Sequence, residues 1–175
     1  MKRQFLIILF GLFLPADLCA QDSYTRDSRY WLTFGLGSST FGPGFYGNVS
    51  YAYKNNLFFV RYLKGDEFRF NVEGHYDEPR RTLKEVGVLY GRTYTKESLT
   101  MSFSAGIGIV EATDRGKVIQ YSDYQRIDIS TLGVPFEATF RFAFGIFGIG
   151  GSWAGNFNPK KFVSAAVLQL SVGVF

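Results

Sequence analysis

Leu99-Thr100-Met101-Ser102-Phe103-Ser104-Ala105-Gly106-Ile107-Gly108-Ile109 is the stretch that decides the fold. Its odd positions are apolar and its even positions are all threonine, serine or glycine. A period of two puts these two sets on opposite faces of a β-strand. The stretch also matches the ~9–11 residues that a tilted strand needs to cross a bilayer. One face therefore suits lipid hydrocarbon and the other suits a narrow polar interior.

The same pattern extends to both sides. Tyr30, Leu32, Phe34 and Leu36 alternate with small or polar residues over Tyr30 to Gly37, and Phe45, Val49, Tyr51 and Tyr53 do so over Phe45 to Lys54. Further strands are expected over Leu57 to Leu63, Leu83 to Thr95 and Ile129 to Arg141, and a seventh over Phe142 to Trp153, where glycines blur the phase. Pro135 interrupts the sixth and cannot donate to a ladder, which predicts a bulge or a missing bond. Short turns are expected at Lys54-Asn55-Asn56, where asparagine tolerates positive backbone angles, and at Thr95-Lys96-Glu97-Ser98. Longer connections fall at Lys64–Thr82, Glu111–Arg126 and Ala154–Lys161. About eight strands with alternating short and long connections spell an all-β, single antiparallel up-and-down transmembrane barrel.

The two ends of the sequence support that reading. Ala165 to Phe175 is an alternating strand that stops on an aromatic residue, and closure into a barrel would remove its apolar edge. Its apolar face is Leu168, Leu170, Val172 and Val174, so Phe175 is out of phase. At the other end, Lys2 and Arg3 precede an apolar run from Phe5 to Leu14, within the roughly 7–15 residues of an export signal and too short for a membrane helix. Residues 1–20 are thus expected to be a cleaved signal peptide, leaving residues 21–175 as the barrel domain; Leu18 is large for its position before the cut. Cys19 raises a lipoprotein alternative, but Asp17 and Leu18 fit a lipidation signal poorly. If Cys19 leaves with the signal, no cysteine remains for disulfide or thiol chemistry. Asp22 to Ser28 is the candidate for a disordered segment.

Composition narrows the function classes. The chain holds 19 Phe, 11 Tyr and 20 Gly in 175 residues, with a formal net charge of +4. Acids and bases are interleaved in the expected loops rather than gathered in a basic stripe, so no nucleic-acid partner is expected. Tyr30, Tyr53, Tyr90, Phe140 and Phe175 are expected near one rim, and Phe41, Phe45, Trp153 and Phe162 near the other, as interfacial girdles.

Glu85 and Glu137 fall on the small, polar face of their strands, and Arg61 falls on the same side if the third strand keeps its phase. Charges in a narrow barrel are costly unless paired, so these residues are expected to form an interior polar network. An eight-stranded interior is normally filled by side chains, which favours a plug over a pore. His75, the single histidine, lies in the charged loop segment Glu73-Gly74-His75-Tyr76-Asp77-Glu78 without companions for a metal or a general base, and reads as a solvated loop residue. Ser122, Ser130 and Ser152 lie toward the expected outer side, but acyl chemistry needs a base and an oxyanion stabiliser beside the nucleophile. Gly106-x-Gly108 and Gly148-x-Gly150-Gly151 precede no helical pattern and read as close packing rather than phosphate loops.

The segments Glu85-Val86-Gly87-Val88-Leu89-Tyr90-Gly91-Arg92, Ser104-Ala105-Gly106-Ile107-Gly108 and Leu132-Gly133-Val134-Pro135-Phe136-Glu137-Ala138 resemble a group of small uncharacterised outer-membrane β-barrel proteins of the eight-stranded type. The resemblance covers the C-terminal half and implies no active residues. Adhesion, surface protection and anchoring are the common roles that it implies. The expected protein is a monomeric, non-enzymatic barrel in the bacterial outer membrane, with a plugged interior, no cofactor and no metal. Its expected partners are outer-membrane lipid, the barrel-assembly machinery through the C-terminal strand, and an extracellular partner met by the Lys64–Thr82 and Glu111–Arg126 loops. The alternatives are a small outer-membrane channel and a lipid A-modifying enzyme. Deacylases of that last class carry a His-x-Ser pair, which this chain lacks.

Overall fold

A computed structural model describes residues 28–68, 79–120 and 123–175. Eight strands close into one antiparallel barrel in chain order: β1 (Ser28–Ser39), β2 (Gly42–Tyr53), β3 (Asn56–Asp66), β4 (Thr82–Lys96), β5 (Leu99–Gln120), β6 (Asp123–Phe144), β7 (Phe147–Phe157) and β8 (Val163–Val174). The β1–β8 ladder, from Tyr30↔Val174 to Ser39↔Ala165, seals the sheet and leaves β8 no free edge. Residues 1–27 lie outside the described residues, as does the part of the Lys64–Thr82 loop that carries His75.

Alternation sets the two faces. Leu32, Phe34, Val60, Val88, Ile107, Leu132, Ile149 and Leu170 point outward and are exposed, while the residues between them turn inward. So broad an exposed apolar surface is the mark of a lipid-facing band. The band ends abruptly toward the long connections. Val86, Ile109 and Leu132 sit side by side in one cross-strand row, and the next outward row is Lys84, Glu111 and Ser130. Near the other end, Tyr30, Tyr53 and Tyr90 are exposed, and the Phe58 and Tyr90 rings lie 4.8 Å apart.

Several boundaries differ from the sequence reading. The expected Glu111–Arg126 loop is instead a continuation of β5 and β6, a ribbon that rises past the apolar band with register shifts beyond Arg115. Water wets both faces of a strand there, so the apolar alternation that marks a strand inside the membrane is lost. The Lys64–Thr82 loop yields its ends to β3 and β4. Phe142–Phe144 belongs to β6, and β7 starts after a turn at Gly145, whose φ of 62° suits glycine. Ala154–Phe157, expected in a loop, completes β7.

The β1–β2 connection, on the long-connection side, is only Thr40-Phe41. Gly42 follows at φ 119°, where a Cβ would lie 2.5 Å from the Asp66 carbonyl oxygen. At the Lys54-Asn55 turn the positive angle is taken by Lys54, not by an asparagine. Pro135 does break the β5–β6 ladder: no pair forms between Ala105↔Phe136 and Gly108↔Gly133, yet the register is the same on both sides.

Two expected girdle residues turn inward. Phe41 is buried among Tyr46, Leu63, Leu83 and Val163. Phe175, out of phase with the apolar face of β8, packs its ring 5.9 Å from Trp31 inside the opposite end.

Candidate functional site

The interior is layered. Toward the long connections, Phe41, Tyr46, Leu63, Leu83, Val110, Ile129 and Val163 form one apolar plug; toward the short turns, Trp31, Ala52, Leu57, Phe59 and Leu89 form another, with Phe175 against it. A polar belt lies between them, and Arg61 is its hub. Its Nε donates to Glu85 Oε1 at 3.1 Å and its Nη2 bonds the same oxygen. Nη1 donates to Glu137 Oε2 at 3.1 Å and to the Phe136 carbonyl at 3.0 Å, while Nη2 also reaches the Gly155 carbonyl at 3.2 Å. One side chain on β3 thereby ties together β4, β6 and β7.

The acceptors are held in turn. Tyr46 donates its hydroxyl to Glu137 Oε1 at 2.7 Å, and Thr139 donates to that oxygen at 3.0 Å. The Asn48 amide donates to the Tyr46 hydroxyl, and Ser50 donates to the Asn48 oxygen at 3.0 Å. Arg61, Glu85 and Glu137 have relative exposures of 0%, 1% and 3%, so the three ions rely on one another instead of on water. A buried guanidinium fork with two carboxylates is a favourable geometry for such a belt.

The segments that carry the sequence resemblance meet around this belt. Pro135 faces inward, and Cβ atoms at Gly87 and Gly108 would lie 3.1 and 3.3 Å from its ring. A Cβ at Gly133 would strike the Asn156 side chain at 2.0 Å. Outside, the Phe136 ring lies across Gly155, where a Cβ would come within 2.3 Å of it; Phe136 also stacks with Phe157 at 5.0 Å and meets Trp153 edge-on at 5.3 Å. Leu132-Gly133-Val134-Pro135-Phe136-Glu137 thus alternates between sealing the sheet from the lipid side and building the belt from within.

Each end of the lumen carries its own cluster of charged and aromatic side chains. Toward the long connections, Arg81 and Lys161 stand over the Phe41 ring at 5.3 and 4.9 Å and both pair with Asp114. Asp114 lies above the apolar band. Burial raises its pKa, but Lys161, the Arg115 amide and Arg81 outweigh this and hold the carboxyl below its usual range. Arg115 pairs with Glu67 beside it. Toward the short turns, the Arg141 guanidinium lies 4.7 Å from the Trp31 ring and 5.4 Å from the Phe175 ring.

Sequence phase puts Glu85 and Glu137 on the inner face, and Arg61 with them only if β3 keeps its phase; in the structure it does, and the three side chains meet. Tyr46 and Trp31 carry no compositional mark of their role, because inward aromatics resemble outward ones, and Arg141 differs from an exposed arginine only in its phase. The available signal was phase: Tyr46 alternates with exposed Phe45, and Arg141 lies four residues beyond Glu137 on the same face. Ser152 is buried and its hydroxyl bonds the Gln169 amide, whereas Ser130 is exposed on the outer face of the ribbon; Ser122 lies outside the described residues.

No protein-family model matches the chain, and no curated protein matches it. Solved structures do. The N-terminal β-barrel domain of Pseudomonas aeruginosa OprF is similar over 85% of this chain and 98% of that one, with a TM-score of 0.56 and 16% identity. This is the fold of a small outer-membrane barrel. Ail, the attachment invasion locus protein of Yersinia pestis, is similar over 84% and 96%, with a TM-score of 0.54 and 15% identity. Neisserial surface protein A follows at 84% and 94%, with a TM-score of 0.50 and 13% identity. The exposed apolar band and the closed eight-stranded sheet place this barrel in a bacterial outer membrane, with lipid against its outward side chains.

Proposed function

We propose that the chain is a monomeric, non-enzymatic outer-membrane barrel that keeps its lumen shut and presents the β5–β6 ribbon to a partner outside the cell. The ribbon carries this reading. Among the described residues, β6 has no partner on its β7 side from Asp123 to Gly133, because that ladder begins only at Val134↔Phe157. The part of this open edge past the Leu132 row, held beyond the lipid on a rigid barrel, suits recognition by strand addition or by side-chain contact. Glu111, Lys117, Arg126 and Asp128 give the ribbon exposed charge, with Val118 and Ile127 exposed among them.

Within this reading, residues 1–20 are the export signal, β8 is the strand met by the barrel-assembly machinery, and the long-connection end faces outward. The belt and the two apolar layers leave Arg61, Glu85 and Glu137 a sealing role. The buried, hydrogen-bonded Ser152 argues against a serine nucleophile at that position. The test replaces residues 115–126 by a two-residue Asn-Gly turn in cells that display the barrel. The expected result is a barrel that still folds but loses the cell-surface attachment conferred by the full chain. Unchanged attachment sinks the proposal, and a lipid A mass profile altered by the protein sinks its non-enzymatic part.

A further inference from the structure

Below the belt, toward the short turns, the charge balance reverses. Arg29 and Arg141 are both more than nine-tenths buried, and among the described residues neither pairs with a carboxylate. Arg29 donates at the mouth to Thr95 Oγ1 and the Lys54 carbonyl, both at 2.7 Å, although its Nε has no acceptor. Arg141 has less. Its one hydrogen bond runs from Nη2 to Thr33 Oγ1 at 3.4 Å, its Nε has no acceptor, and its remaining neighbours are the rings of Trp31 and Phe175. Glu137, four residues along the same strand, acts on it only electrostatically and accepts no hydrogen bond from it. A guanidinium largely removed from water without a directly paired counter-charge is a costly arrangement in a protein interior.

Its surroundings are rich in small donors. Thr33 and Ser171 share a hydrogen bond at 3.0 Å, which uses one of their two hydroxyl protons and leaves the other free. The Trp31 Nε1 is buried and has no acceptor. Gln169 bonds Ser152 through its amide nitrogen at 2.6 Å and leaves its oxygen unpartnered. Turning that amide over puts the oxygen on the Ser152 hydroxyl and frees an N–H. Gly148 and Gly150 line the wall beside Arg141, and a Cβ at Gly148 would strike the Arg141 Cδ at 2.8 Å. The glycines make room for this side chain to lie across the lumen.

We propose that this compartment is a binding site for a small monovalent inorganic anion of the chloride class, held by Arg141 with the hydroxyls of Thr33 and Ser171. The anion supplies the direct partner that Arg141 lacks and accepts the free donors beside it. The site lies between the belt and the Trp31–Phe175 pair, independent of the ribbon. Chloride is a single atom, and charge-assisted bonds from the guanidinium and the hydroxyls would satisfy these donors.

The whole barrel in non-ionic micelles is melted in sodium chloride and in sodium gluconate at equal ionic strength. A site filled only in the folded state raises the melting midpoint with chloride concentration. The expected result is a chloride-specific rise of several degrees that vanishes in Arg141→Met. Should that variant fail to fold, Thr33→Val with Ser171→Ala is expected to weaken the chloride effect severalfold while retaining the charge. A second measurement uses Trp153→Phe, which leaves Trp31 as the single indole. Iodide is expected to quench it saturably and chloride to reverse the quenching. Equal midpoints in the two salts, an undiminished chloride effect in the variants, or unsaturable quenching that chloride does not reverse overturns the proposal.

Discussion

Arg61→Met is the substitution with the largest expected consequence. Arg61 is the one cation that pairs with Glu85 and Glu137 among the described residues, and all three are buried. Breaking a buried pair by removing one partner costs about 3–5 kcal/mol. Here two carboxylates are stranded, and a carboxylate that enters the barrel neutral must carry a proton that ordinary carboxyl groups release near pH 4. Holding that proton at pH 7 costs about 4 kcal/mol per group. The expected destabilisation at pH 7 is therefore roughly 4–7 kcal/mol, a large share of the ~5–15 kcal/mol that holds a typical domain folded. The sign with pH follows. The variant's folded state binds protons that its unfolded chain has lost, so its stability rises as pH falls. Between pH 7 and pH 5 the deficit shrinks by about 2.7 kcal/mol for each neutral carboxylate. Urea unfolding in micelles, followed by tryptophan fluorescence at both pH values, measures this. A loss below about 1 kcal/mol, or one independent of pH, refutes the belt as an energetic hub.

Other substitutions test the surrounding layers. Gly155→Ala drives a Cβ into the Phe136 ring and is expected to cost about 1–3 kcal/mol; combined with Phe136→Ala the two losses should be markedly sub-additive in the same assay. Asp114→Asn removes the shared partner of Arg81 and Lys161 at a partly exposed rim, with an expected cost of about 1 kcal/mol at neutral pH. Because the folded carboxyl titrates below its usual range, that contribution is complete above about pH 4 and fades as pH falls below it, so wild type and variant should converge in acid. Trypsin applied to intact cells is expected to cut at Lys117 and to spare Lys54 and Lys96; the reverse pattern would invert the barrel in the membrane.

How much of this was readable in the sequence depended on where each strand met lipid. Leu57-Phe58-Phe59-Val60 makes β3 apolar on both faces, whereas β1, β2, β4 and β5 alternate within the apolar band, so their faces follow from Leu32, Val88 and Ile107 and their neighbours. β7 did not, because Gly148 and Gly150 inside and Gly151 and Gly155 outside erase the contrast between faces. The outer contrast is restored by Phe140 and Phe136, which reach over the last two glycines from β6. The ribbon's sequence reads as a loop for a related reason: Glu111, Asp114, Arg115 and Arg126 lie past the band, where neither face needs to be apolar. The belt was legible because a charge at an inward phase has few alternatives to pairing. Its partner Tyr46 was not legible, since an aromatic residue at one phase looks much like its neighbour Phe45 at the other. Phe175 carried its own signal: the phase mismatch with Leu170, Val172 and Val174 is the mark of a ring turned into the lumen.

The closed lumen is the account's central claim, and single-barrel recording in a planar bilayer tests it most directly. The intact barrel is expected to show a flat baseline, and Arg61→Met, refolded at pH 5, is expected to admit current as the belt loosens. Stepwise openings of the unmodified barrel at moderate voltage would contradict the account and make the molecule a channel.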